Sequence, residues 1–263
     1  FSYAQTNENK SKLIFVTMNR LNIEDFEALD SIGNQANGYI GLMNIRGAKG
    51  TNDASSYASI GWGKKSYVLN KDLTFFDNAN LAKSEQYEFV TDKEAFKIAN
   101  LNINTLIQTN EESDYGSVPG NLGKISKEKD LIISVIGNSD KEDPLLLSGP
   151  LAMDESGRIK SGNIDDINRI DYSAPFGIST NYEKVSSSFL NAYDISDIIV
   201  LELGDSYRLD EYKNMMSLES YSNYKGNMMI KMDNLLKEIK LNLNNEHIMI
   251  VASPFPSLEN YQN

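Results

Sequence analysis

The chain has 263 residues, 40% of them hydrophobic, with 25 basic and 37 acidic side chains and a net charge of −12. That apolar content supplies a full core, and the acid excess excludes binding of nucleic acid or anionic lipid through a general basic surface. There is no cysteine, which excludes disulfide frameworks, zinc–thiolate sites and cysteine nucleophiles.

Residues 1–11 read as a polar N-terminal linker ahead of one domain, 12–263. Tyr3-Ala4-Gln5 has the look of a signal-cleavage remnant, although a trimmed chain would look the same. No run of about 18 apolar residues is present, so no segment of this chain is expected to span a membrane. An anchor beyond its ends is compatible with that.

Lys12 to Met18 (KLIFVTM) is an apolar, β-branched run, the signature of a strand buried on both faces. Asn22 is placed to cap a helix that begins IEDF. Tyr39 to Asn44 reads as a second short strand and 45–52 as a loop. Ala54 to Trp62 reads as a small-residue helix that stops at Gly61 or Gly63. Residues 66–123 are less regular and read as an insertion or cap, with a strand at Tyr67–Leu69, a helix at Glu94–Gln108 and a loop at Asn110–Gly123. Leu131–Ile136 and Ile198–Leu203 are buried strands, and Leu145–Met153 is a bulged or edge strand. Helices are expected at Asn181–Tyr193, Leu209–Leu218 and Met228–Leu243. The methionine stripe of the last one (Met228, Met232) reads as core. His247–Ala252 is the closing strand.

Apolar strands alternating with helices give an α/β fold: a mostly parallel, doubly wound sheet with helices on both faces. Ligand chemistry in such sheets belongs at the carboxyl ends of the strands. The residues expected there are Asn19, the 46–53 loop, Asn138 to Asp140, Asp205 with Arg208 and Asp210, and Ser253 to Phe255.

These positions carry a resemblance. KLIFVTMNRL, TNDASSYASIGWG, IIVLELGDSYRLD, the helix with MIKMDNLL and HIMIVASPFP are similar, in order, to segments of the alkaline phosphatase superfamily. That superfamily includes the cofactor-independent phosphoglycerate mutases and nucleotide pyrophosphatases. The chain most resembles a divergent branch of uncharacterised bacterial surface proteins, which implies an extracytoplasmic or cell-surface location. The resemblance implies a metal-binding Asp where Asn19 stands, a Ser or Thr nucleophile where Asp53 stands, a His at Leu209 or Asp210, and an Asp-His pair where Ser253-Pro254-Phe255 stands. Asp205 is the clearest ligand position retained. Paired-zinc sites of this kind use about three histidines, whereas the one histidine here, His247, falls at the start of its strand, away from the crevice.

Asp53 reads foremost as a helix cap, with Asn52 as the alternative cap. Ser55, Ser56 and Thr51 are the nearby hydroxyls, with no histidine to activate them. Asp205 either carries chemistry or caps its helix. Asp205, Asp53, Asp140 and Asn19 together make an oxygen-only set for Mg²⁺, Mn²⁺ or Ca²⁺. Arg46 and Arg208 are candidate forks for a phosphate or carboxylate. Two functions follow. One is a non-catalytic domain with no cofactor, acting as a binding or structural module. The other is a divergent metal-dependent hydrolase or transferase of phosphoric or sulfuric esters, using carboxylate ligands.

Overall fold

The computed structural model describes residues 11–33, 38–44 and 46–258. Nearly all of the expected N-terminal linker, and most of the turn before Gly38, lie outside the described residues.

In chain order the elements begin with β1 (Leu13–Thr17), α1 (Ile23–Glu27), α2 (Asp30–Gly33), α3 (Asp53–Trp62), β2 (Phe75–Asp77) and α4 (Leu81–Thr91). There follow β3 (Ile98–Asn100), α5 (Ile103–Glu111), α6 (Asn121–Glu128), β4 (Ile133–Asn138), α7 (Gly149–Ala152), β5 (Arg158–Ile159), β6 (Ser161–Asn163) and β7 (Asn168–Ile170). The chain continues through β8 (Ile178–Thr180), α8 (Tyr182–Ile195), β9 (Ile198–Leu203), α9 (Asp205–Tyr212), α10 (Leu218–Leu241) and β10 (Ile248–Ala252).

The main sheet has the order β10-β1-β9-β4-β6, and every pairing in it is parallel. The expected α/β class and the parallel sheet with helices on both faces are both present. Alternate residues of β1 divide between two cores. Ile14 and Val16 join Val185, Phe189, Met228, Met232 and Leu236, so α8 and α10 cover that face. Phe15 joins Tyr57, Trp62, Phe75, Tyr87 and Leu151 on the other face, beneath α3 and α7. The methionine stripe is core, as its spacing indicated.

Several elements differ from the sequence reading. Residues 38–44 are exposed and form no strand; an extended segment becomes a strand only where a partner offers its backbone groups. Tyr67–Leu69 is likewise no strand, because Asn110 takes the backbone of Tyr67 through its side-chain amide at 2.9 Å. The helix expected over 94–108 is split. Ile98–Asn100 pairs antiparallel with both β2 and β5, and the helix starts at Ile103. Residues 145–153 hold the short helix α7, with Pro150 in its first turn, where a missing N–H costs nothing. Helix α6 begins inside the expected loop. Segment 66–123 also packs directly into the core through Phe75, Phe76, Tyr87 and Leu106, so it covers one sheet face as well as bordering the crevice.

α3 lies against α7 closely enough that a Cβ on Gly61 would meet the Leu151 backbone at 2.5 Å. Trp62 locks that contact by donating Nε1–H to Pro150 O at 2.8 Å. Gly63 ends the helix at φ 73°, as the sequence suggested.

Candidate functional site

β1 ends in a tight turn at Asn19-Arg20, where Arg20 sits at φ 68°, an uncommon conformation for a side-chain-bearing residue. The turn is held from the last strand's exit: Arg20 N–H donates to Phe255 O at 2.8 Å, and Phe255 N–H donates to Asn19 Oδ1 at 2.9 Å. This places Asn19 and Arg20 over the start of α3. Asn19 Nδ2 donates to Asp53 Oδ1 at 2.5 Å, and Arg20 donates Nε and Nη2 to the two oxygens of Asp53, each at 2.7 Å. Arg20 Nη1 reaches Asp210 Oδ2 at 3.1 Å, and Nη2 reaches Glu211 Oε1 at 3.4 Å. The rings of Phe255 and Tyr207 lie 4.9 and 5.5 Å from the guanidinium carbon. Burial opposes the Arg20 charge, but the bond and charge of Asp53, aided by Asp210 and Glu211, outweigh it and raise its pKa. The first cluster thus holds three acids around one internal cation.

Asp53 is not the helix cap. Asn52 caps α3 by accepting from Ser55 N–H at 2.9 Å, and Asp53 occupies the first turn with its carboxylate turned to Arg20. The serines beside it are tied to backbone. Ser55 Oγ donates to Val68 O and accepts from Val68 N–H, both at 3.0 Å, while Ser56 Oγ donates to Asn52 O at 3.0 Å. Both are buried.

The second cluster surrounds Asp205, at the first position of α9. Its Oδ1 accepts from Thr180 N–H at 2.9 Å and from Arg208 Nη2 at 2.7 Å, and its Oδ2 accepts from Tyr182 O–H at 2.8 Å. The cap position belongs to Gly204, so Asp205 instead joins α9 to β8 and the start of α8. Arg208, 1% exposed, also donates to Thr180 Oγ1 and to Asp140 O. Its hydrogen-bonding fork is thus directed inward. Gly204 makes this approach possible, since a Cβ there would lie 2.2 Å from Asn138 O. Arg46 is exposed on the loop ahead of α3, whereas Arg208 is buried.

Asp140 accepts from Leu145 N–H at 2.7 Å through Oδ1. Burial pushes its pKa to about 6, against the Leu145 bond and with help from the charge of Glu202. The expected four-residue oxygen set is therefore distributed rather than shared: Asn19 and Arg20 both face Asp53, Asp205 faces Arg208, and Asp140 closes its own turn. Among the described residues, no three His, Asp or Glu side chains group so as to hold a metal ion. His247 lies at the opposite end of the sheet, where Nδ1 accepts from Lys12 N–H at 3.2 Å and Nε2 meets Tyr193 Oη at 2.7 Å.

Two buried charged residues at the strand ends escaped the sequence reading. Arg20 was legible only as the residue ending the first strand. Glu202, inside IIVLEL, is 1% exposed and accepts from Ser139 Oγ at 2.6 Å, Leu147 N–H at 3.2 Å and Ser148 N–H at 2.7 Å. Burial raises its pKa despite these donors. An acid interrupting an otherwise apolar strand was the available signal.

No family model and no curated protein sequence matches this chain. Among solved structures, the PH0037 protein from Pyrococcus horikoshii is similar at a TM-score of 0.44 and 12% identity, over 94% of this chain and 80% of that one.

Proposed function

We propose that this chain is a non-catalytic domain with an alkaline-phosphatase-like fold, serving as a binding or structural module on the outside of a bacterial cell. The observation that carries this reading is the Arg20–Asp53 pair. The helix start where the resemblance puts a nucleophile holds an acid, and the protein's own guanidinium supplies the positive charge there. A carboxylate at that helix start repels an incoming phosphate or sulfate. Ser55 and Ser56 are held by backbone, with no base to activate them. The surface assignment rests on the resemblance alone. No helix among the described residues is long and apolar enough to cross a membrane.

The test is hydrolysis of phosphomonoesters, phosphodiesters and sulfate esters with Zn²⁺, Mg²⁺, Mn²⁺ or Ca²⁺ supplied in turn. The expected rate is that of metal and buffer alone. Hydrolysis that Asp205→Ala abolishes overturns the reading. The alternative, a divergent metal-dependent hydrolase with carboxylate ligands, draws support from Asp140, an acid titrating near 6 at a strand end. Anomalous density for Mn²⁺ at Asp140 or Asp205 in a soaked crystal would favour that alternative.

A further inference from the structure

Two features of this chain are each missing what the other offers. The first is the outer edge of β10, which among the described residues pairs with β1 alone. In a parallel pair, the N–H and C=O of one residue point to the same side. Ile248 N–H donates to Lys12 O and Ala252 O accepts from Met18 N–H, so Ile248, Ile250 and Ala252 turn toward β1. The backbone groups of Met249 and Val251 therefore point outward. The strand reads IMIVA, without charge, proline or bulge. Ile248 and Ile250 are 60% and 40% exposed, on the face they share with Leu13 and Phe15. Folded proteins ordinarily blunt or cover such an edge, because it templates pairing with another chain.

The second feature is residues 38–44, GYIGLMN. Tyr39 and Leu42 are 99% and 92% exposed, with Ile40 and Met43 also exposed. Among the described residues, none of the backbone groups of 38–44 bonds to another backbone group. Extended, the segment would put Tyr39, Gly41 and Met43 on one side and Ile40 and Leu42 on the other. It is a strand sequence without a sheet, while β10 is a sheet edge without a strand.

We propose that residues 38–44 of one copy pair with β10 of a second copy, reciprocally, adding a sixth strand to each sheet of a dimer. Backbone bonds to Met249 and Val251 supply the register, and Ile40 or Leu42 covers Ile248 and Ile250. A second copy is the occupant because each copy displays both parts at once: Leu42 and Ile250 are exposed in the same molecule. Charge agrees. Neither 38–44 nor 248–252 contains a charged residue, so two molecules of net charge −12 meet there without opposed carboxylates.

The test is sedimentation of the whole chain across the micromolar range, with expected dimers. Leu42→Asp and Ile250→Lys should each raise the dimer dissociation constant by more than about tenfold, the mark of a central contact. Tyr172→Asp, at another exposed position, should leave it unchanged. Because the chain has no cysteine, Gly41→Cys on one tagged copy and Met249→Cys on another should cross-link on oxidation. A monomer at every concentration overturns the proposal. So does a dimer that survives Leu42→Asp, which would pair by β10 edges alone, or a cross-link formed within one chain carrying both cysteines. Far-ultraviolet circular dichroism confirms that each variant is folded; Leu42, Ile250 and Tyr172 are exposed, and Met249 is half-buried.

Discussion

Arg20 and Asp53 meet as a two-pronged ion pair, both contacts at 2.7 Å, with side chains only 5% and 6% exposed. Two elements 33 residues apart, the exit of β1 and the start of α3, are joined at this point. Breaking a buried pair from one side leaves an uncompensated charge and costs about 3–5 kcal/mol. Arg20→Met should therefore destabilise the protein by that order in urea denaturation. Adding Asp53→Asn to Arg20→Met should recover part of the loss, because it removes the stranded charge while Asn19 retains a partner. A double-mutant cycle with no coupling between the two positions would contradict the geometry.

The Asp205 cluster should behave as structure as well. Asp205→Ala leaves Arg208 buried beside Thr180 with its main counter-charge gone, and the expected loss is again about 3–5 kcal/mol. Tyr182→Phe removes one donor to Asp205 while Thr180 and Arg208 remain, and should cost roughly 1 kcal/mol. Thermal unfolding of the two variants gives the ratio. Equal losses would mean that Arg208 is not held by Asp205.

Ser55 and Ser56 are adjacent yet should respond differently. Ser55→Ala strands both backbone groups of Val68, a fully buried residue, at about 1–3 kcal/mol. Ser56→Ala removes a helix back-bond to Asn52 O, and its expected effect is roughly 0.5–1.5 kcal/mol. Denaturant midpoints of the two variants check the order. A hydrolytic activity lost in either one without loss of stability would point to a nucleophile instead.

Asp140 sets a pH dependence. Its folded-state pKa of about 6 lies above the 3.8 of a free carboxyl, so the folded chain binds its proton more tightly than the unfolded chain does. Stability from this group is fully present below about pH 4 and is lost as pH rises through 6. A shift of roughly two units corresponds to about 3 kcal/mol as an upper figure. Asp140→Asn keeps an oxygen for Leu145 N–H and should flatten the fall in melting temperature between pH 4 and 7. A parallel fall in wild type and variant would assign the dependence to another group.

A fifth expectation concerns packing. Gly61→Ala would drive a methyl group into the Leu151 backbone at 2.5 Å, forcing α3 off α7 and disturbing the Trp62–Pro150 bond. Overpacking of this kind costs typically about 1–3 kcal/mol. The single tryptophan reports it directly, through a red-shifted emission if the indole becomes wetter.

The sequence by itself determined the elements whose stability is written locally. β9 falls where IIVLEL puts it, and β1, β4 and β10 fall within two residues of their apolar runs, because a strand buried on both faces needs an unbroken apolar stretch. Asn52 and Asn181 stand at helix starts for the reason asparagine favours that position, each accepting a backbone N–H through its side chain. Local pattern failed where pairing decides. Residues 39–44 have strand composition but, among the described residues, no partner strand, and Ile98–Asn100 leaves its helical spacing because β2 and β5 flank it. Helix α4 buries Tyr87 alone, so it leaves almost no apolar period to read. The site follows the same division. Its place at the carboxyl ends of the strands follows from the parallel order of the elements. Which acid faces which arginine does not, since Arg20 and Asp53, or Glu202 and Ser148, meet only after α3 and α7 pack on the sheet of order β10-β1-β9-β4-β6. Ionic partners so far apart in the chain leave no periodic trace in the sequence, and only the packed sheet selects among them.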